Sequence, residues 1–155
     1  MPAFRYVGIP ESLAAEVRTT QRSPQYGHPA TRDRAKGYGP CRLCLRTFAV
    51  GEEDRLLFTY QPQRASGALP QPGPVFIHAE PCVRYDGAEL PADFRPLPLV
   101  VEGYRATGFL VAQEPVGSEP AEDVVARMFE RPNVDHVHLR NGEAGCFMAR
   151  VERGI

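Results

Sequence analysis

Four residues stand at spacings that suit a metal ion. Pro40-Cys41-Arg42-Leu43-Cys44 contains a C-x-x-C pair, and His78-Ala79-Glu80-Pro81-Cys82 contains an H-x-x-x-C pair. Zinc takes four tetrahedral nitrogen or sulfur ligands, and two short-spaced pairs are how one chain supplies them. Two residues between thiols let both sulfurs reach one ion from a tight turn. Three residues between histidine and cysteine place both on one side of a helical turn. Residues 45–77 then form a long but permissible excursion between the pairs. Neither pair is flanked by the glycine turns of a ribbon knuckle, so unrelated free thiols and a surface histidine are the competing reading. A redox C-x-x-C is a third, weakened because the motif follows a loop with no evident βαβ context. If one zinc is bound, protein fills all four positions and the metal is structural, since a catalytic site keeps a position open.

A second group is His136, His138, Asn141 and Cys146. In Val134-Asp135-His136-Val137-His138-Leu139-Arg140 the alternation puts His136, His138 and Arg140 on one face and Asp135, Val137 and Leu139 on the other. Cys146 opens the partner strand. A thiol beside an imidazole, with Asn141 orienting it, would be an activated nucleophile. If period-two geometry puts Cys146 on the Leu139 face, no dyad exists. The bland reading is a small core cysteine among Phe147, Met148 and Val151, with solvated strand histidines.

A third candidate is the basic stretch from Arg18 to Arg46, with seven bases against one acid. Arg32, Arg34 and Arg42 could grip a phosphate or carboxylate through their planar forks, and Tyr26, Tyr38 and His28 could stack on a base. Against this, Lys36 is the only lysine, and the abundance of arginine, alanine and proline suggests a genome rich in G and C. That bias weakens the functional reading of each arginine, and a solvated loop explains the stretch as well.

The elements that must position these groups follow from pattern and punctuation. Phe4 to Ile9 reads as a strand, and Pro10 opens a helix through Val17. Residues 19–40 read as a long polar loop. Arg55 to Gln61 is a strand, Pro62 to Pro74 a Pro/Gly-rich surface excursion, Val75 to His78 a short strand, and Ala79 to Tyr85 a turn of helix. Leu99 to Arg105 and Gly108 to Gln113 form two antiparallel strands. The clearest helix runs from Glu119 to Arg131, acidic at its start, basic at its end and stopped by Pro132, with Val124, Val125, Met128 and Phe129 as its buried stripe. Val134 to Arg140 and Cys146 to Glu152 make a final hairpin around Asn141-Gly142. The order predicts an α+β fold: a mostly antiparallel sheet with two helices in a single compact domain over residues 1–155.

Composition bounds the class. A chain of 155 residues, 43% hydrophobic and 24% charged, can bury a real core without staples. A net charge of -1 argues against a general nucleic-acid binder. No stretch approaches the roughly 18 apolar residues of a membrane span, and the N-terminus lacks the apolar region of a signal peptide. The cytoplasm is the expected location, and cysteines there are read as thiols or ligands rather than a disulfide framework.

Three segments together carry a family resemblance: Gly39-Pro40-Cys41-Arg42-Leu43-Cys44-Leu45, Gly73-Pro74-Val75-Phe76-Ile77-His78, and His138-Leu139-Arg140-Asn141 followed by Gly145-Cys146-Phe147-Met148-Ala149-Arg150-Val151-Glu152-Arg153. The chain resembles, over nearly its whole length, the bacterial family catalogued as domain of unknown function 1203. The resemblance implies a small bacterial protein without an assigned activity. It carries over to Cys41, Arg42, His138, Asn141, Gly145, Cys146, Arg150 and Arg153, and it makes Cys41 and Cys146 a candidate pair, as a shared site or as a disulfide under oxidation. The leading expectation is a zinc-stabilised binding or accessory domain that contacts an anionic small molecule or a protein partner through the basic loop. A thiol-dependent enzyme using Cys146 or Cys41 with His138 is the alternative from another class. A metal-free interaction domain is the third.

Overall fold

The computed structural model describes residues 3–37 and 39–154. In chain order these form β1 (Phe4–Val7), α1 (Glu11–Thr20), β2 (Thr31–Arg34), β3 (Asp54–Tyr60), β4 (Gly73–His78), β5 (Asp86–Gly87), a 3-10 turn (Ala92–Phe94), β6 (Leu99–Tyr104), β7 (Leu110–Pro115), α2 (Ala121–Phe129), β8 (His136–Asn141) and β9 (Phe147–Arg153). A six-stranded sheet has the order β5-β1-β9-β8-β6-β7, and a three-stranded sheet the order β2-β3-β4. Every pairing is antiparallel. The expected α+β class, mostly antiparallel with two helices in one compact domain, is what the chain adopts. No helix among the described residues is long and apolar enough to cross a membrane.

Each sheet has its own apolar core. In the large sheet, Tyr6, Val151 and Val137 stand in register beside Gly103 and share a face with Val101 and Leu139. This face meets the stripe of α2 formed by Val124, Val125, Met128 and Phe129. Close contact requires glycine at position 103, where a Cβ would stand 2.7 Å from Met128 Sδ. In the small sheet, Leu56, Phe58 and Tyr60 alternate inward from β3 and pack with Val75 and Ile77 of β4 and with Ala14 and Val17 of α1. Burial of Val17 contributes about 1.5–3 kcal/mol by leaving water, and with Ala14 it holds a ten-residue helix that has no side-chain cap.

Three expectations are corrected. The long loop over 19–40 contains β2, whose Thr-Arg-Asp-Arg sequence has no apolar alternation to betray it. It holds to the sheet edge by its ladder with β3 and by ion pairs across it, Asp33 with Arg55 at 2.9 Å and Arg32 and Arg34 with Asp54 at 3.0 and 2.7 Å. Residues 79–85 form no helical turn, because Pro81 interrupts the segment and its backbone bonds are spent on neighbours, Ala79 N–H on Asp54 and Tyr85 N–H on Leu43. His136 and His138 are not solvated but buried, because the second face of β8 is covered by the excursion between β3 and β4. That excursion is pinned across the sheet by Gln63 on His136 and by Ser66 Oγ donating to Thr107 O at 2.7 Å. Tyr38 lies outside the described residues.

The two sheets meet at residues 40–47, a tight turn closed by a bridge between Pro40 and Thr47. Its backbone binds both sides: Arg42 N–H donates to Phe76 O of β4 at 2.9 Å, and Ile9 N–H, just beyond β1, donates to Arg42 O at 2.9 Å. Gly8 makes this approach possible, since a Cβ there would stand 2.1 Å from Leu43 O and 2.8 Å from Arg42 O, with backbone on both sides unable to yield. Gly8→Ala is therefore expected to cost roughly 2–3 kcal/mol, the upper range for overpacking. Urea unfolding checks it: the midpoint should fall at unchanged slope, and an unchanged midpoint would remove this account of the joint.

Candidate functional site

The turn at 40–47 presents two sulfurs. Cys41 N–H donates to Arg46 O and Leu45 N–H to Cys41 O, both at 2.8 Å, which folds the C-x-x-C into a knuckle. The reversal needs a left-handed residue, and Leu45 supplies it at φ 61°. A non-glycine there costs about 1–2 kcal/mol, offset because the Leu45 side chain is wholly buried in the large-sheet core. This explains why the missing glycine did not prevent a knuckle.

The end of β4 delivers His78, and the irregular chain beyond it returns Cys82. The ligand atoms of Cys41, Cys44, His78 and Cys82 all lie within 4.8 Å of one another. Cys41 Sγ is 3.8 Å from Cys82 Sγ, and Cys44 Sγ is 3.4 Å from His78 Nδ1. Around a tetrahedral ion with metal–sulfur bonds of about 2.3 Å and metal–nitrogen bonds of about 2.05 Å, those separations are about 3.8 and 3.6 Å. Cys41, Cys44 and His78 are buried and Cys82 half-buried, so the group can hold a metal ion with little access for anything else.

Outer contacts orient these ligands. His78 Nε2 sits 3.1 Å from Glu53 Oε2, in ion-pair contact though without the alignment of a full hydrogen bond. A carboxylate behind a ligating imidazole fixes its tautomer. The backbone N–H of His78 donates to Cys41 Sγ, and Arg18 Nη2, from the last turn of α1, donates to Cys82 Sγ, both at 3.3 Å. Cys44 and then Cys82, hydrogen-bonding to Cys41, drive its thiol toward thiolate; Cys41 and then Cys82 push the Cys44 thiol up. Contact with Cys41, then Cys82, raises His78 to about 10. Protons therefore sit unevenly on the cluster, and a metal cation displaces them as it binds.

The second group is not brought together as a dyad. The Cys146 thiol accepts from Arg42 Nη2 at 3.1 Å and lines a cleft with Met148 and Leu97, whereas His138 lines a different cavity with Glu102 and Phe147. Asn141 Oδ1 caps the hairpin turn, accepting from Glu143 N–H and Ala144 N–H at 2.9 and 2.8 Å, and does not orient an imidazole. Cys41 and Cys146 are free thiols engaged elsewhere. Of the three arginines expected to grip an anion, Arg32 and Arg34 converge on Asp54, and Arg42 is 4% exposed with its donors on Phe147 O, Pro40 O and Cys146 Sγ. Gly145 turns the hairpin at φ 81°. Arg150 pairs with Glu152, and Arg153 clamps the end of α2 through Phe129 O and Val134 O.

Sequence reasoning missed Glu53, Arg18 and Glu102. Only Glu102 left a signal: a lone acid in the apolar strand Leu99-Val100-Val101-Glu102-Gly103-Tyr104. It is 2% exposed, accepting from Tyr104 Oη at 3.1 Å and from Arg140 Nε at 2.9 Å.

Fold and site thus define a two-sheet α+β domain with a buried Cys3His cluster at the joint. The chain belongs to the family described as protein of unknown function (DUF1203), which matches residues 38–153. No curated protein and no solved structure matches it.

Burial holds His138 well below the ordinary imidazole value, with His136 and Arg150 adding to the effect, and burial likewise lowers His136. An imidazole whose folded value lies below its unfolded value of about 6.5 binds its proton better in the unfolded chain. Its share of stability is full above about pH 6.5 and is lost as pH falls through and below it. Urea unfolding from pH 7.5 to 5 should show a steeper acid slope in the native protein than in His138→Phe, by up to about 1.4 kcal/mol per pH unit. Equal slopes would mean that His138 is protonated or exposed in the fold.

Proposed function

We propose that Cys41, Cys44, His78 and Cys82 bind one zinc ion, and that the protein is a zinc-stabilised binding or accessory domain. The observation that carries this reading is the convergence of four ligand atoms, from residues 41–44 and 78–82, within 4.8 Å of one another, with two of the separations near those of a tetrahedral ion. Three soft thiolates and one imidazole suit zinc, which has no redox chemistry and no geometric preference against a tetrahedron. With all four positions protein-filled, the ion would act as a staple between the knuckle, the end of β4 and residues 79–82. It would supply folding free energy rather than a polarised water. The Glu53 carboxylate would hold the His78 ring in the ligating tautomer. The absence of a Cys146–His138 contact supports a binding rather than a thiol-catalytic role.

The untagged protein is expected to carry about one zinc per chain by plasma mass spectrometry. Cys44→Ser should lose most of it, and Glu53→Gln should retain it with affinity weaker by about 10–100-fold. A strong chelator should lower Tm by on the order of 10 °C, since a metal at 1,000 times its Kd contributes about 4 kcal/mol and each kcal/mol moves a domain of this size by about 2–4 °C. A metal-free protein whose Tm ignores the chelator, or iron in place of zinc, would sink the proposal.

A further inference from the structure

The face of the large sheet opposite α2 carries a cavity of about 220 Å³ beneath the excursion between β3 and β4. Its floor is His138, Glu102, Gln113, Arg140 and Phe147. His138 is 2% exposed, yet among the described residues neither of its ring nitrogens has a hydrogen-bond partner. A neutral imidazole offers one donor and one acceptor, and leaving such groups buried and unmet costs about 1–3 kcal/mol each. Its neighbours do not relieve it: Tyr104 and Phe147 meet the ring with their own rings, at 4.6 and 5.2 Å between centroids. The remaining buried side-chain atoms without partners, among the described residues, are His78 Nε2 at the metal cluster and Gln61 Oε1 and Gln63 Nε2 on the excursion itself. Of these residues, His138 is the one that lines the cavity.

The polar neighbours say what would fit. Glu102 and Arg140 neutralise one another at 2.9 Å, the second Glu102 oxygen accepts from Tyr104, and Arg140 Nη2 reaches Gln113 Oε1 at 3.3 Å. No unpaired charge is left for an ionic ligand, and burying one against this pair would be costly. The roof is formed by Pro62, Leu69 and Pro70 with the uncharged Gln71 beside them. A cavity of 150 Å³ is enough to hold benzene, so this one takes a molecule of about one or two rings. We propose that the cavity is a binding site for a small uncharged ring compound whose polar edge, one donor and one acceptor, is read by His138. The site lies apart from the cysteine cluster and does not depend on the metal.

The test uses the purified full chain with its metal retained. Benzamide is the neutral probe, and benzoate and benzylamine are charged controls of the same size. Binding is followed by the ring resonances of His138 in ¹H–¹³C NMR. Benzamide is expected to shift them saturably, with both charged controls at least tenfold weaker. His138→Phe should lose benzamide binding by tenfold or more while Tm stays level or rises, because the unmet polar atoms are gone. No saturable shift with benzamide would mean that the cavity holds water only and would overturn the proposal. So would equal binding by the charged controls, or unchanged binding in His138→Phe.

Discussion

A guanidinium removed from water must find acceptors for its donors or the fold does not close over it. Arg42, 4% exposed, meets that demand at the turn that joins the two sheets. Its Nε bonds to Phe147 O at the start of β9, its Nη1 to Pro40 O within its own turn, and its Nη2 to Cys146 Sγ. Its backbone bonds to β4 on one side and to the residue after β1 on the other. The side chain thus fixes the knuckle against the large sheet while the main chain ties it to both sheets. Breaking a buried charged network of this kind typically costs about 3–5 kcal/mol. Every coordinate of the cysteine cluster is set by this joint, because Cys41 and Cys44 flank Arg42 and face the strand end that carries His78.

The joint also explains why a domain long enough to fold on burial alone would use a metal. Its apolar surface is divided between two cores, one under α2 and one under α1. The short knuckle belongs to both, with Leu45 in the first core and Cys41, Leu43 and Cys44 in the second, and beside it Tyr6 and Ile9, and Met148 and Phe147, divide in the same way. Residues 79–85 run past the same point without a helix or strand of their own. A four-ligand ion here would fasten knuckle, strand end and irregular segment together.

The convergence of Cys41, Cys44, His78 and Cys82 was legible because paired spacing of thiols and imidazole survives ignorance of the fold. The geometry behind it was not. His78 and Cys82 are not on one helical turn; Cys82 returns through an irregular segment, and the C-x-x-C turns without glycine because Leu45 accepts a left-handed conformation in exchange for a buried side chain. The helix over Ala121–Phe129 was legible from its stripe and its bounding prolines, and the hairpin of β8 and β9 from its turn residues. β2 was not, since an edge strand held by ion pairs leaves no period in hydrophobicity. The alternation of β8 correctly separated His138 from Val137, but it could not say that both faces would be covered. That depended on where the Pro/Gly-rich excursion lands, a long-range contact with no local signature. Arg42 looked like one base in a basic stretch; only the tertiary structure shows that its partners are backbone carbonyls and a thiol rather than a ligand.

Arg42 and His138 together show how a buried polar group declares its purpose. Arg42 finds an acceptor at each of its three nitrogens within the protein, so the fold alone accounts for it. His138 is more deeply buried, at 2%, and finds none. Neighbouring Glu102 and Tyr104 satisfy one another completely enough to leave no role for the imidazole in their network. A phenylalanine at position 138 would extend the aromatic packing of Tyr104 and Phe147 without any unmet nitrogen. A stability argument therefore runs against histidine at this site, and that is the ground for the proposal that a small neutral molecule meets it. His78 differs from both: its Nδ1 meets Cys44 Sγ at 3.4 Å and its Nε2 stands 3.1 Å from Glu53, so its two nitrogens face the cysteine cluster on one side and a carboxylate on the other.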